Sequence, residues 1–309
     1  MQENVKFLDK NHFLILKAIA IIAIIVGHIG NFTGKTWFTP LGGFGVAIFL
    51  FCSGYGLTVS AKNRGVAKYW LKKLVNVYLS FFIIEAVAAL ILQRDLKTFI
   101  LDVLLLKPSH PYGWYMQYLF VCYLLFYIVF NLVKKEEIFI LVFFLLGIIS
   151  FFAFPNLQAE QALSFTLGIV LANYNNTKRV NHSKLMIIGI VLIFVGITFL
   201  AIKQLPSVRL LNHYIITLIN LIIKLFSAIG VVLLSYSFIG CLKFLIPFGK
   251  ISYELYLVHG YFIFCVAKNV LNNFALNTVL FLLITCAVSW AFYIVNVQIK
   301  KGFRGILEN

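Results

Sequence analysis

The chain has 309 residues, of which 62% are hydrophobic and 12% are charged, and its formal net charge is +16. Soluble domains are about 45–50% apolar and about 25% charged, so this composition excludes a water-soluble globule. We predict an all-α fold, a polytopic membrane bundle of about ten transmembrane helices, because each crossing uses about 20 residues. We expect the chain to form one integral-membrane domain over residues 1–309, with no separate soluble domain.

Apolar runs bounded by charged residues predict the membrane crossings in chain order. The run 97–106 is apolar but contains Asp102 and is bounded by Pro108, so we interpret it as an interfacial or re-entrant segment. The predicted crossings are 13–30, 41–60, 75–93, 113–133, 137–154, 160–174, 184–202, 214–238, 251–270 and 275–298.

Lysine and arginine are unevenly distributed between alternate connections. With ten crossings, the segments on the same side as the termini carry 17 of these residues and the opposite connections carry seven. Basic residues are enriched in cytoplasmic loops, so we predict a multi-pass protein of the cell membrane with both termini in the cytoplasm. Because this topology accounts for the basic charge, we expect no nucleic acid as a partner. The first apolar run lacks a cleavage pattern and should remain as the first helix.

The cysteines occur singly. They lie inside apolar runs, with no close pair and no metal-ligand spacing, so we interpret them as small buried hydrophobic residues and expect no metal site. They are Cys52, Cys122, Cys241, Cys265 and Cys286.

Ionisable side chains inside crossings are costly in hydrocarbon, so each should face the protein interior and is a functional candidate. These are Lys17, His28, Glu85, Lys224 and His259. Eleven residues separate Lys17 from His28, which places both on one stripe of the first helix, about 16 Å apart along its axis. This pair could hold the anionic end of an extended substrate and present a base at its reactive end. Alternatively, Lys17 snorkels to the interface and His28 only caps the helix.

The second crossing combines glycines with a hydroxyl group. Its glycines favour close helix packing in lipid. Ser53 either donates a hydrogen bond into a cavity or bonds back to its own helix. Among the buried charges, we expect Glu85 and Lys224 to pair with each other or with the polar residues of the ninth crossing, Ser252, Tyr256 and His259.

The ninth crossing contains a polar stripe. Ser252, Tyr256 and His259 recur at positions i, i+4 and i+7, which lie on one face of a helix. A buried histidine in such a stripe is either functional or a satisfied structural group. The two hydroxyls and the imidazole need polar neighbours in either case.

Several motifs along the chain occur in a characteristic order. Lys17 and His28 are followed by a basic run at 68–73, and four longer segments are FGVAIFLFCSGYGL at 44–57, GWYMQYL at 113–119, FTLGIVLANY at 165–174 and FGKISYELYLVHG at 248–260. Together they resemble the membrane acyltransferase 3 family over nearly the whole chain. The resemblance implies an enzyme that moves an acyl group, commonly acetyl from acetyl-CoA, onto a hydroxyl of a cell-envelope saccharide or a related acceptor.

The resemblance also implies roles for individual residues. His28 matches the essential histidine of the family, and Lys17 matches the basic residue upstream of it. Lys72 and Lys73 fall where relatives carry an arginine-rich segment, so these lysines and Lys17 are expected to bind the phosphates of the donor. Asn76 stands where a further arginine is common. Since lysine cannot give the bidentate recognition of arginine, the donor contacts can differ here.

The mechanism implied by this resemblance is base-catalysed acyl transfer. Acyl-CoA would enter from the cytoplasm, and His28 would either deprotonate the acceptor hydroxyl or carry the acyl group transiently. The candidate substrate-binding residues are Ser53, Ser252, Tyr256 and His259. The expected partners are acyl-CoA, a saccharide or lipid-linked acceptor and membrane lipids.

Two other classes of protein remain open at this stage. A transporter or flippase of a lipid-linked saccharide also has about ten helices with a few buried charges, although no two-fold internal similarity is visible. A scaffold subunit would use its buried polar groups only to hold helices together, and it would tolerate neutral residues at Lys17 and His28.

Overall fold

Apolar helices joined by short turns make up most of the chain. The computed structural model describes residues 8–110, 113–174, 182–263, 266, 271–303 and 305. These described residues contain no strand, so the all-α prediction is confirmed. The principal helices are α1 (Lys10–Phe32), α2 (Pro40–Arg64), α3 (Tyr69–Ile91), α4 (Leu96–Val103), α5 (Trp114–Leu132), α6 (Glu136–Ala153), α7 (Ser164–Tyr174), α8 (His182–Lys203), α9 (His213–Ser237), α10 (Ser252–Phe262) and α11 (Phe274–Gly302).

Eight helices in the described part of the chain are long and apolar enough to cross a membrane. They correspond to eight of the ten predicted crossings. The other two predicted crossings, 160–174 and 251–270, contain the 11-residue helices α7 and α10. Most of residues 264–270 lie outside the described residues. Most of the run 97–106 belongs to the short helix α4. Asp95 caps the start of this helix, because its carboxylate accepts a hydrogen bond from the backbone N–H of Thr98 at 3.0 Å.

The chain separates into two compact units, each assembled from segments that are distant in sequence. α1 is one continuous helix, but its residues up to Gly27 belong to the first unit and those from His28 onward belong to the second. The first unit comprises Met1–Gly27, Phe38–Asn63 and Ile128–Lys250, and the second comprises His28–Trp37, Arg64–Tyr127 and Ile251–Asn309.

Glycines allow close packing of helices in the first unit. Gly54 of α2 lies against the backbone of Phe165 in α7, and Gly168 of α7 makes the reciprocal contact with α2. Between α8 and α9, a β-carbon at Gly230 would lie 2.8 Å from the carbonyl oxygen of Gly189. Lipid supplies little hydrophobic force between helices, so close backbone contact of this kind holds the crossings together.

The second unit contains a local irregularity in the third crossing. α3 includes a π-helical turn at Leu74–Tyr78. At the last residue of this turn, the hydroxyl of Tyr78 donates a hydrogen bond to the carbonyl oxygen of Val103 at 2.8 Å, which ties α3 to α4. π-helical turns release carbonyl groups from regular helix bonding and recur at functional sites.

The described cysteines are free thiols. Cys52 and Cys122 are buried as expected, and Cys286 is partly buried. The expectation is wrong for Cys241, which is exposed because it lies in the short turn Cys241–Leu245 between α9 and α10 rather than inside a crossing. Cys265 lies outside the described residues.

Candidate active site

Two imidazole rings face each other in the second unit. The ring of His28, near the end of α1, stacks on the ring of His259 in α10, with centroids 5.3 Å apart and planes inclined by 21°. His259 is fully buried and His28 is partly buried. The ring of His28 thus packs against a second imidazole inside the second unit.

The helix backbone orients the imidazole of His259. Its Nδ1 lies 3.1 Å from the carbonyl oxygen of Leu255 and 2.7 Å from that of Tyr256. A carbonyl oxygen only accepts hydrogen bonds, so Nδ1 carries the proton of the neutral ring and Nε2 is its basic nitrogen. The backbone of α10 thus selects one tautomer and one orientation of the ring.

Tyrosine rings extend this imidazole pair. The ring of Tyr256 lies 5.8 Å from that of His259, and Tyr115 of α5 packs edge-on against Tyr256 at 4.9 Å. Ser252, Tyr256 and His259 are all buried on α10. The structure therefore brings His28 to His259 of the α10 stripe, with the ring of Tyr256 next to that of His259.

A third histidine, His110, lies in the connection before α5. Its ring centroid is 4.6 Å from that of Tyr261 in α10, and it is close enough to His259 for the two rings to interact electrostatically. Burial, with a smaller contribution from His259, lowers the pKa of His110 to about 4. Because desolvation disfavours its charged form, His110 is neutral at physiological pH.

A buried ion network lies next to Tyr261. The hydroxyl of Tyr261 donates a hydrogen bond to Glu85 at 2.7 Å. Arg94 Nη1 donates to Glu85 at 2.9 Å and to Asp102 at 2.8 Å. The side chains of Arg94 and Glu85 are only 12% and 8% exposed. One guanidinium thus compensates two buried carboxylates, and its removal would leave both of them without a cation.

The same network anchors the connection that carries His110. The hydroxyl of Ser109 donates to Asp102 at 2.7 Å, and the backbone N–H of Ser109 donates to the other oxygen of that carboxylate. Nearby, Gln117 Nε2 donates to the carbonyl oxygen of Leu105 at 2.9 Å. The position of His110 beside the site therefore depends on Asp102.

The lysines assigned to donor binding lie at the beginning of α3. Lys73 Nζ is 4.3 Å from the ring centroid of Tyr123 and 5.5 Å from that of Tyr69. Lys72 Nζ donates to the carbonyl oxygen of Ala67 at 3.2 Å. Glu85 follows Lys73 by 12 residues, or about 18 Å along a helix. The lysines and the Glu85 network are therefore at opposite ends of α3.

Two other predicted site residues belong to the first unit. Lys17 on α1 and Ser53 on α2 are both partly buried. The ammonium of Lys17 is close enough to Cys52 for an electrostatic interaction. Lys17 and Ser53 thus belong to the first unit, whereas His28 and the α10 stripe belong to the second.

The first unit also contains a buried ion pair. Lys224 of α9 donates a hydrogen bond to Glu160, and a β-carbon at Gly43 would collide with the side chain of Lys224. Glu85 is paired with Arg94 in the second unit. Lys224 and Glu85 therefore do not pair with each other. Lys224 pairs with Glu160, and Glu85 pairs with Arg94.

Sequence reasoning did not identify His110, Tyr261 or Arg94 as neighbours of the imidazole pair. One signal was available, since Asp102 occurs inside an apolar run and a buried carboxylate requires a cation. Arg94 lies eight residues before it. Tyr261 and His110 carry no comparable signal in the sequence.

Metal ligands do not cluster in the part of the chain that the structure describes. It contains no group of three or more His, Cys, Asp or Glu side chains that could hold a metal ion.

Comparison with known proteins adds one family. A family model described as an acyltransferase domain matches residues 8–294, a range that includes the imidazole pair, the α10 stripe and the lysines of α3. No curated protein and no solved structure matches the chain at a significant level.

Proposed function

The chain belongs to the acyltransferase 3 family and is a membrane acyltransferase, and from this premise we propose that it transfers an acetyl or related acyl group from acyl-CoA to a hydroxyl of a cell-envelope saccharide or a similar acceptor. The observation that carries the proposal is the stacked pair of His28 and His259, with the ring of Tyr256 5.8 Å from that of His259. Acyl transfer to an alcohol requires a base near the hydroxyl and donors for the oxyanion, and these side chains supply both.

His28 is the general base of the proposed reaction. Its imidazole takes the proton of the acceptor hydroxyl while the oxygen attacks the thioester carbonyl of acyl-CoA. A carbon–oxygen bond forms, and the carbon–sulfur bond breaks as the tetrahedral oxyanion collapses. The proton then passes from His28 to the departing thiolate of CoA, which returns the imidazole to its neutral form.

The α10 stripe supports the base and the oxyanion. Tyr256 and Ser252 donate hydrogen bonds to the acceptor or to the developing oxyanion. His259 holds the ring of His28 in one orientation, because its own ring is fixed by the α10 backbone. Ser53 is a further candidate for binding the acceptor, on the strength of its hydroxyl and the SGY segment in which it lies.

The donor approaches from the cytoplasm in this proposal. The phosphates of acyl-CoA bind Lys72 and Lys73 at the beginning of α3. The distance of about 18 Å along α3 from Lys73 to Glu85 is a length that an extended pantetheine arm can cover. Lys17 is a further donor-binding candidate, because the family resemblance places a basic residue at that position.

The acceptor is modified on the outer side of the cell membrane. The distribution of lysine and arginine predicts cytoplasmic termini, so α1 runs outward and His28 lies toward its outer end. An extracytoplasmic saccharide or a lipid-linked precursor can then reach the imidazole pair.

The direct test uses purified protein in lipid nanodiscs with radiolabelled acetyl-CoA and envelope saccharide as the acceptor. The proposal requires label in the saccharide and release of free CoA in equal amounts.

Mass analysis of envelope polysaccharide from cells with and without the gene should show acetyl groups that depend on the gene. Transport of saccharide across proteoliposomes without any acyl donor, and without acetylation when the donor is added, would instead assign the protein as a carrier.

A further inference from the structure

The π-helical turn in α3 is held from two other helices of the second unit. Tyr253 of α10 donates from its hydroxyl to the carbonyl oxygen of Val77 at 2.8 Å. Lys300 of α11 donates from Nζ to the carbonyl oxygen of Asn76 at 3.1 Å. Both of these carbonyl groups lie within the π-helical turn. The end of α11 is thereby attached to α3 next to the lysines assigned to the donor.

Lys300 brings positive charge to a neutral position of α3. Asn76 follows Lys72 by four residues and is uncharged, so the ammonium of Lys300 lies about one turn further along α3 than Lys72. Lys72 points back toward the beginning of the helix, where it bonds Ala67. The two ammonium groups are therefore spread along the first turns of α3 rather than placed at one point.

This spread matches the chemistry of acyl-CoA, which carries phosphate at two places. One phosphate is on the ribose, and the diphosphate joins the nucleotide to the pantetheine arm. The arm must run along α3 toward the imidazole pair, so the diphosphate lies further along the helix than the ribose phosphate. Ammonium groups form strong charge-assisted hydrogen bonds with phosphate oxygens.

We propose that Lys300 is a donor-binding residue, whose ammonium at Asn76 binds the diphosphate of acyl-CoA while Lys72 binds the ribose phosphate. This inference rests on the proposed function for the identity of its ligand. A phosphate of an anionic lipid has the same chemistry and can reach the same depth, so the experiment has to separate the two sources.

The experiment measures binding and turnover of three donors by protein in nanodiscs of neutral lipid. The donors are acetyl-CoA, acetyl-dephospho-CoA, which lacks the ribose phosphate, and acetyl-pantetheine, which lacks the diphosphate as well. Lys300→Ala should raise the Kd and KM of the first two donors by roughly 3- to 10-fold, the scale of one partly exposed charge contact, and leave acetyl-pantetheine unchanged. Lys72→Ala should affect acetyl-CoA alone.

The matched control is Lys301→Ala, which removes the same charge from the adjacent exposed position. It should change each Kd by less than about 2-fold. Asn76→Arg in the Lys300→Ala background should restore donor binding, because it returns a cation to the same turn.

Equal losses in Lys300→Ala and Lys301→Ala, or a loss that persists with acetyl-pantetheine, would overturn the assignment of Lys300. A Lys300→Ala effect that appears only as altered stability in anionic nanodiscs would assign the residue to lipid and overturn donor binding. Wild-type protein that binds acetyl-CoA through Lys300 but transfers no acetyl group would refute the proposed function and leave the donor site established. Failure of the wild type to bind any CoA derivative would refute both.

Discussion

The ring of His28 stacks on the ring of His259, and the second ring is held in place by carbonyl oxygens of its own helix. His259→Asn keeps an amide donor for those carbonyls but removes the ring on which His28 packs. We expect kcat to fall roughly 10- to 100-fold, because a small displacement of a base has an effect of this size. Steady-state kinetics should show little change in the KM for acyl-CoA. Unchanged kcat in a normally folded variant would show that His259 does not position the base.

Arg94 compensates Glu85 and Asp102 in a buried site. Arg94→Met leaves two carboxylates without their cation and should lower the free energy of unfolding by about 3–5 kcal/mol. Chemical unfolding in detergent measures this loss. The control is Lys97→Met, which removes a charge from an exposed position of α4 and should have little effect. Equal stability of the two variants would mean that the network contributes nothing to the fold.

The lowered pKa of His110 predicts the sign of a pH effect on stability. Its pKa is about 4 in the folded protein and about 6.5 when unfolded, so the unfolded state binds more protons between these values. Stability should therefore fall as the pH is lowered from 6.5 toward 4, and this contribution should be absent above pH 6.5. In His110→Phe, the thermal midpoint should depend less on pH within that window. An equally steep dependence in His110→Phe would assign the effect to other groups.

The pair of Lys224 and Glu160 is buried in the first unit. Lys224→Met alone leaves the partly buried carboxylate of Glu160 without its cation, although Asn220 still donates a hydrogen bond to it, and should destabilise the protein by about 3 kcal/mol. The double variant Lys224→Met, Glu160→Gln removes both charges and should recover most of that loss. A double-mutant cycle on unfolding free energies measures the coupling, and additive losses would contradict the pairing.

The fold was largely predictable because lipid imposes simple rules on sequence. Apolar runs of about 20 residues must become helices, and eight of the ten predicted crossings are helices of that length. The 11-residue helices α7 and α10 were harder to predict, since a short helix inside a protein and a full crossing have similar apolar composition.

The site was predictable only where one helix carries several of its residues. Ser252, Tyr256 and His259 lie on one helix, so their spacing predicts a common face. The approach of His28 to His259 depends on contacts between segments more than 200 residues apart, and periodicity within a helix carries no such information. The contact of Lys300 with Asn76 was unpredictable for the same reason.

The central claim is that His28 is the base for acyl transfer. His28→Gln should lower single-turnover transfer from labelled acetyl-CoA by roughly 10²- to 10⁴-fold, the usual contribution of a general base, with donor binding retained. His213→Gln, at an exposed histidine of the first unit, is the matched control and should keep wild-type turnover. Wild-type turnover in His28→Gln would contradict the account.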